Sequence, residues 1–239
     1  SKSLTGIMTK LHQCKYRFGL TGTLDGTLTH RLVLEGLFGT AENIVTTKEL
    51  IDRKTLADLT VKCIVLKHKN IRERMTYAEE LEYLATNEKR NNFIVNLLQH
   101  LDGNTLCLFQ LVEKHGKPLY DQVQETITDR KTFFVYGGTD TSEREEIRGT
   151  VENEKKSIIL ASYGTFSTGI NIRNLHNIIF ASPSKSRIRN LQSIGRGLRL
   201  GDNKTSATLY DIADDMTYHS RENFTLKHFQ ERISIYTEE

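Results

Sequence analysis

Short runs of β-branched and apolar residues recur from residue 60 onward, and they constrain the fold more than any other feature of the chain. They are TVKCIVL (60–66), TLCLFQ (105–110), TFFVYG (132–137), SIILAS (157–162), NIIFAS (177–182) and SATLYDI (206–212). Each has the length of a strand, and several are apolar at consecutive positions. Strands covered on both faces of a parallel sheet read this way. Helical periodicity fills the gaps. Phe93, Ile94, Leu97, Leu98 and Leu101 share one side of 88–101. Leu119, Val123 and Ile127 recur every fourth residue in 113–127, with Pro118 tolerable only in a first turn. The segment 141–153 opens with Ser142-x-x-Glu145, which predicts a capping box. This alternation predicts an α/β fold, an open and mainly parallel sheet with helices on both faces.

The two ends differ from the middle. Residues 1–50 offer one strand candidate, KYRFGLTGT (15–23), and an amphipathic stretch, THRLVLEGLFG (29–39). One strand and a helix or two bury no core of their own, so this part is expected to close a neighbouring domain. The predicted boundaries are 1–55 for that remnant, 56–213 for the α/β domain and 214–239 for a C-terminal helical extension. Phe224, Leu226, Phe229, Ile233 and Tyr236 supply the apolar side of the extension, whereas the acidic YAEELEY (77–83) reads as the solvated face of a helix. No apolar run approaches the ~18 residues that span a bilayer, and the N-terminus has no signal-peptide core, so no membrane contact and a cytoplasmic location are expected. Cys14, Cys63 and Cys107 are odd in number and far apart, and the histidines form no ligand pair, which disfavours disulfides and a metal site. A net charge of +3 permits nucleic-acid binding without requiring it.

Ligands of an open α/β sheet gather at the carboxyl ends of its strands. Unusual loops follow three of the runs: Gly137-Gly138-Thr139-Asp140, then SYGTFSTGIN (162–171), then Ser182 to Lys185. Just beyond lies NLQSIGRGLR (190–199), where Gly195 and Gly197 interrupt a helical pattern. On a helix, Gln192, Arg196 and Arg199 form one polar stripe. Two guanidinium groups and an amide presented together suit a polyphosphate, because Arg binds phosphate oxygens bidentately and keeps its charge. Gly164 and Gly169, with hydroxyls on Ser162, Thr165, Ser167 and Thr168, suit a sugar–phosphate chain held without reading its bases. A Gly-x-x-x-x-Gly-Lys-[Ser/Thr] phosphate cradle is missing from the sequence; His115-Gly116-Lys117-Pro118 lacks both the loop and the hydroxyl.

Taken in series, these segments resemble the second, RecA-like motor domain of superfamily 2 helicases, and among them the recombination and repair DNA helicases of tailed bacteriophages. GLTGTLDG (19–26) resembles motif III, LCLFQLVEKHGKPL (106–119) motif IV, and VYGGTDTSEREEI (135–147) the turn after it. ASYGTFSTGINI (161–172) resembles motif V and QSIGRGLR (192–199) motif VI. The resemblance implies that Arg196 and Arg199 are arginine fingers, with Gln192 beside them. It places Gly169 and Asn171 near the nucleotide, and Ser162, Thr165, Ser167 and Gly138 on the nucleic-acid backbone. Thr21 and Thr23 would couple hydrolysis to movement, although Gly22 stands where the motif usually has alanine. ATP and Mg²⁺ would be held mainly by a missing N-terminal RecA-like domain. The chain is then expected to be a fragment of an ATP-dependent DNA helicase, inactive alone because its Walker A and B motifs are absent. DNA, branched or not, is the implied partner, with RNA also open.

Two other classes share part of this pattern. A non-catalytic nucleic-acid-binding module would use the loops but gives no reason for Gln192, Arg196 and Arg199 to share a stripe. A doubly wound transferase predicts a Gly-rich turn after the first strand, and VLKHKNIRER (65–74) has none.

Overall fold

The apolar runs become the strands of one sheet. The computed structural model describes residues 2–21, 28–69, 71–165, 172, 174–184 and 205–238. Its strands are β1 (Asp58–Lys67), β2 (Thr105–Phe109), β3 (Thr132–Val135), β4 (Ile158–Ser162), β5 (Asn177–Phe180) and β6 (Ser206–Asp215). They lie in the order β1-β6-β5-β2-β4-β3, and every pairing is parallel. The described helices are α1 (Lys2–Lys10), α2 (Leu28–Phe38), α3 (Thr47–Asp52), α4 (Tyr77–Thr86), α5 (Glu88–His100), α6 (Lys117–Thr126), α7 (Thr141–Asn153) and α8 (Phe224–Glu238). The chain divides into two compact units, Ser1–Thr46 and Thr47–Glu239, and the whole sheet belongs to the second.

β2, β4 and β5 are buried along their full length, which accounts for their apolar sequences without alternation. The pleat sends successive side chains to opposite faces. Leu106, Leu108, Ile159, Ile178 and Phe180 meet Ile147 and Val151 of α7 on one face. Cys107, Phe109, Leu160, Ile179 and Ile212 meet Ile94 and Leu98 of α5 and Leu119 and Val123 of α6 on the other. Each fully buried aliphatic side chain stabilises the fold by about 1.5–3 kcal/mol. The amino-terminal edge of the sheet is locked by Arg130, which donates to the carbonyls of Leu98, Leu101, Gly103 and Lys156. The opposite edge is left to the loops.

Local sequence sets the helix starts. Thr76 and Glu79 exchange side-chain and backbone hydrogen bonds in a capping box at α4. The Asn87 side chain accepts from Arg90 N at 3.0 Å to start α5. Pro118 falls in the first turn of α6, which follows a π-helical turn at Val112–Gly116. The capping box expected at Ser142-x-x-Glu145 does not form. Asp140 is the N-cap of α7, so Ser142 lies inside the first turn and Glu145 pairs with Arg148 instead.

Two further expectations are corrected. The segment 15–21, the described part of the strand expected at 15–23, is not a strand. Tyr16, Phe18 and Leu20 are 72%, 85% and 98% exposed, and a strand without a ladder partner has nothing to hold it. YAEELEY is not wholly a solvated face either. Glu80 is buried and accepts from Phe224 N at 2.9 Å and Thr225 N at 2.8 Å, so α4 caps the start of α8 with a carboxylate. Anions are favoured there by the helix dipole.

Candidate functional site

Because all six strands are parallel, their carboxyl ends share one edge, and the loops singled out in the sequence leave from it. β4 ends in Ser162, whose Oγ lies 2.8 Å from Thr165 Oγ1 and accepts from Thr165 N at 3.4 Å. Both residues are buried. Their hydroxyls are therefore occupied with each other and shape the turn that begins the loop. Tyr163 donates its hydroxyl to the Ser182 carbonyl at 2.9 Å, tying the end of β4 to the end of β5. Ser182 Oγ in turn accepts from Gln110 N at 3.1 Å and lies 2.9 Å from His115 Nδ1. Three loops, after β2, β4 and β5, are thus fastened to one another at their roots.

His115 sits on the π-helical turn and is 1% exposed. Burial, then the nearby Arg90 charge, holds its imidazole down at about 3, so it is neutral at physiological pH. Gly116 beside it packs against the Phe109 ring, and a Cβ there would come within 2.5 Å of Phe109 Cε2. Only glycine fits that contact.

The turn after β3 is closed by Thr139, whose N–H donates to the Tyr136 carbonyl at 3.0 Å and whose Oγ1 accepts from Tyr136 N at 3.1 Å. Gly138 is exposed at its tip, and a Cβ there would lie 2.7 Å from the Tyr136 ring. An open groove of about 540 Å³ runs beside it, with Tyr120, Tyr136, Thr139 and Glu143 among its walls. Thr21 is exposed in the first unit. Thr23, Ser167, Gly169, Asn171, Gln192, Arg196 and Arg199 lie outside the described residues.

Two buried ion pairs near the same edge have no counterpart in the sequence reading. Arg232 of α8 grips Asp211 of β6 with Nε and Nη2, both at 2.8 Å, and donates from Nη1 to the Ser184 carbonyl at 3.0 Å. Burial alone would lower the guanidinium pKa, but the bonds from Asp211 hold it well above the ordinary value. Tyr236 donates to the same carboxylate at 2.6 Å. The second pair joins Arg90 Nε to Asp214 at 3.0 Å, with His68 Nε2 2.8 Å from Asp214 Oδ1. Burial pushes the Asp214 carboxyl up, yet Arg90 and then His68 draw it below the ordinary range. The one available signal was an acid at positions 211 and 214 within the buried stretch of β6. Their partners are remote in sequence, so nothing local announced them.

Residues 88–201 match the family model for the helicase conserved C-terminal domain. The whole chain is 34% identical, over 255 residues, to the ATP-dependent DNA helicase uvsW of Enterobacteria phage T4, of which it spans 50%. Residues 88–201 carry a helicase conserved C-terminal domain. The crystal structure of T4 UvsW superposes on 99% of this chain and 49% of its own length, at TM-score 0.63 and 32% identity. A fragment of a putative HsdR subunit of a type I restriction enzyme from Vibrio vulnificus YJ016 shares the fold at TM-score 0.64 and 16% identity. It covers 80% of this chain and 38% of its own. The chain spans about half the length of the curated relative it matches. The six-stranded parallel sheet is the RecA-like fold of this helicase domain, and the loops after its strands leave from the carboxyl edge. Among the described residues, no helix is long and apolar enough to cross a membrane.

Proposed function

We propose that this helicase C-terminal domain is one half of an ATP-dependent DNA motor. Its partner is a RecA-like domain, N-terminal to this chain, that carries the phosphate cradle. In this reading Arg196 and Arg199, with Gln192, reach an ATP seated on the partner domain, and Gly169 and Asn171 approach the same nucleotide. Guanidinium groups placed there stabilise charge on the phosphoryl group in flight, an effect of about 10³–10⁵ in rate. Among the described residues, no group of three His, Cys, Asp or Glu could hold a metal ion. In this reading magnesium, which would neutralise phosphate charge when bound, belongs to the partner domain together with the cradle. The loop begun by Ser162 and Thr165 and continued by Ser167, with the exposed Gly138 turn, takes the DNA backbone. Thr21 and Thr23 couple hydrolysis to the motion of the strand.

The observation that carries this reading is the relation of sequence to edge. The loops that resemble the helicase motifs leave from the carboxyl ends of neighbouring parallel strands, where ligands of such sheets gather. The test is made in the protein that joins this chain to its cradle-bearing domain. Arg199→Ala and Arg196→Ala should each abolish ATP turnover while ATP binding, followed with a fluorescent nucleotide, survives. Parental turnover in either variant removes the finger assignment.

A further inference from the structure

The sequence KHKNIRER (67–74) begins at the last residue of β1, and the segments that resemble helicase motifs do not include it. Lys67, Lys69, Arg72 and Arg74 are all exposed there. The loop is rooted in the fold by His68, whose ring meets the buried Asp214 and whose N–H donates to the Asp215 carbonyl at 2.9 Å. β1 pairs with β6 in the register Lys67↔Asp215, so the loops after these two strands emerge side by side.

The loop after β6 has an unusual backbone. Tyr218 and Arg221 exchange hydrogen bonds at 3.0 and 2.9 Å across a two-residue turn, with His219 at φ 45° and Ser220 at φ 62°. Positive φ at both positions marks a type I′ hairpin turn, which normally takes Asn-Gly. Two side-chain-bearing residues hold this one open, and strain of this kind concentrates at functional positions. The surroundings fix the turn. Met216 N donates to Asn223 Oδ1 at 2.9 Å, and the Asn223 amide donates to the Asp214 carbonyl at 3.1 Å. The turn presents His219 and Arg221 to solvent with Tyr218 half-buried, the Tyr218 and His219 rings meeting edge to face at 4.3 Å.

The charges around these loops are unevenly occupied. Arg74 lies over the Phe224 ring at 5.5 Å, and Lys67 faces Asp215. Of the neighbouring acids, Asp215 accepts from Thr217 N and Glu222 from Gln230, leaving Glu73 within the basic loop itself. Among the described residues no ion pair engages Lys69, Arg72 or Arg221. Unpaired cations beside an exposed imidazole and a half-buried tyrosine ring fit a sugar–phosphate chain with accessible bases.

We propose that the loops after β1 and β6 form a second nucleic-acid surface, with Lys69, Arg72 and Arg221 on phosphates and Tyr218 and His219 as a stacking platform. It rests on the reading that this domain works on nucleic acid and is independent of the finger assignment. β6 and β4 are three strand steps apart, about 14 Å. The surface is therefore distinct from the Ser162–Thr165 turn but lies along the same edge.

The test measures binding of the 239-residue chain to fluorescein-labelled duplex and to labelled oligothymidine. Anisotropy is followed from about 50 to 200 mM salt. Lys69→Ala/Arg72→Ala should flatten the log K against log[salt] slope on duplex by roughly 1.8, about 0.9 for each phosphate no longer neutralised. His219→Asn/Ser220→Gly installs the residues a type I′ turn prefers. It should raise the thermal midpoint while weakening oligothymidine binding about tenfold, as loss of a stacked base does. A purely structural turn would gain stability with binding unchanged. An unaltered slope in the first variant, no binding by the parent chain, or displacement of the oligonucleotide by polyglutamate at equal charge each overturns the proposal. Loss of ATP turnover in Arg199→Ala is read separately, so the two ideas fail by different measurements.

Discussion

His115 makes the stability of the fold depend on pH in a calculable way. In the unfolded chain its imidazole takes a proton near 6.5. In the fold, burial and then Arg90 hold it at about 3. The folded state therefore binds fewer protons, so its advantage is complete above pH 6.5 and is lost progressively as pH falls toward 3. At pH 5 the loss from this one group is about 2 kcal/mol, with a local slope of about 1.4 kcal/mol per pH unit. His115→Gln removes the titration and keeps an amide within reach of Ser182 Oγ, which lies 2.9 Å from Nδ1 in the parent. Thermal or urea unfolding of both proteins at pH 7 and pH 5 gives the double difference, in which the other histidines cancel. The parent should lose about 2 kcal/mol more than the variant, or about 4–8 °C in midpoint for a chain of this size. Equal losses in the two proteins would show that His115 protonates freely and that its burial has been misread.

Glu80→Ala removes the acceptor for Phe224 N and Thr225 N and should cost about 3 kcal/mol in thermal unfolding, with Glu80→Gln near half of that; a change within ~0.5 kcal/mol, the ordinary surface range, would refute the cap. Thr165→Ala takes away the buried partner of the Ser162 hydroxyl and so loosens the start of the loop; it should weaken DNA binding to a similar degree for unrelated sequences, measured by anisotropy, because phosphate contacts made by that loop carry no sequence information. A strong preference among sequences would point to base readout instead. The pure chain should show no ATP turnover in a phosphate-release assay, since it has no Gly-x-x-x-x-Gly-Lys-[Ser/Thr]. Measurable turnover would mean that another cradle exists.

What the sequence disclosed was decided by period and composition. SIILAS and NIIFAS could be read as central strands because both of their faces are covered, and Pro118 marked the first turn of α6 because its ring fits nowhere else in a helix. KYRFGLTGT misled because alternating aromatics specify a strand only when a neighbouring strand supplies the ladder. Glu80, Arg90, Asp211, Asp214 and Arg232 were invisible for a related reason. Charged residues are almost never fully buried unless paired, and each of these has its partner far along the chain. The carboxyl edge was the expected place for a site because the ligands of parallel sheets gather there. The stripe of Gln192, Arg196 and Arg199 was proposed from spacing and residue type, and it lies outside the described residues.

The pairing of β1 with β6 also sets a clock. The two strands are separated by about 150 residues of chain, and at ~5–20 residues per second a ribosome needs roughly 7–30 s to deliver the second after the first. Until then the ten residues of β1 have no partner at the margin of the nascent sheet. The paired loops beyond them, with their basic residues and the Tyr218–His219 turn, cannot assemble before β6 and its loop have emerged. A domain wired in this order acquires that surface last, after its central strands have already met.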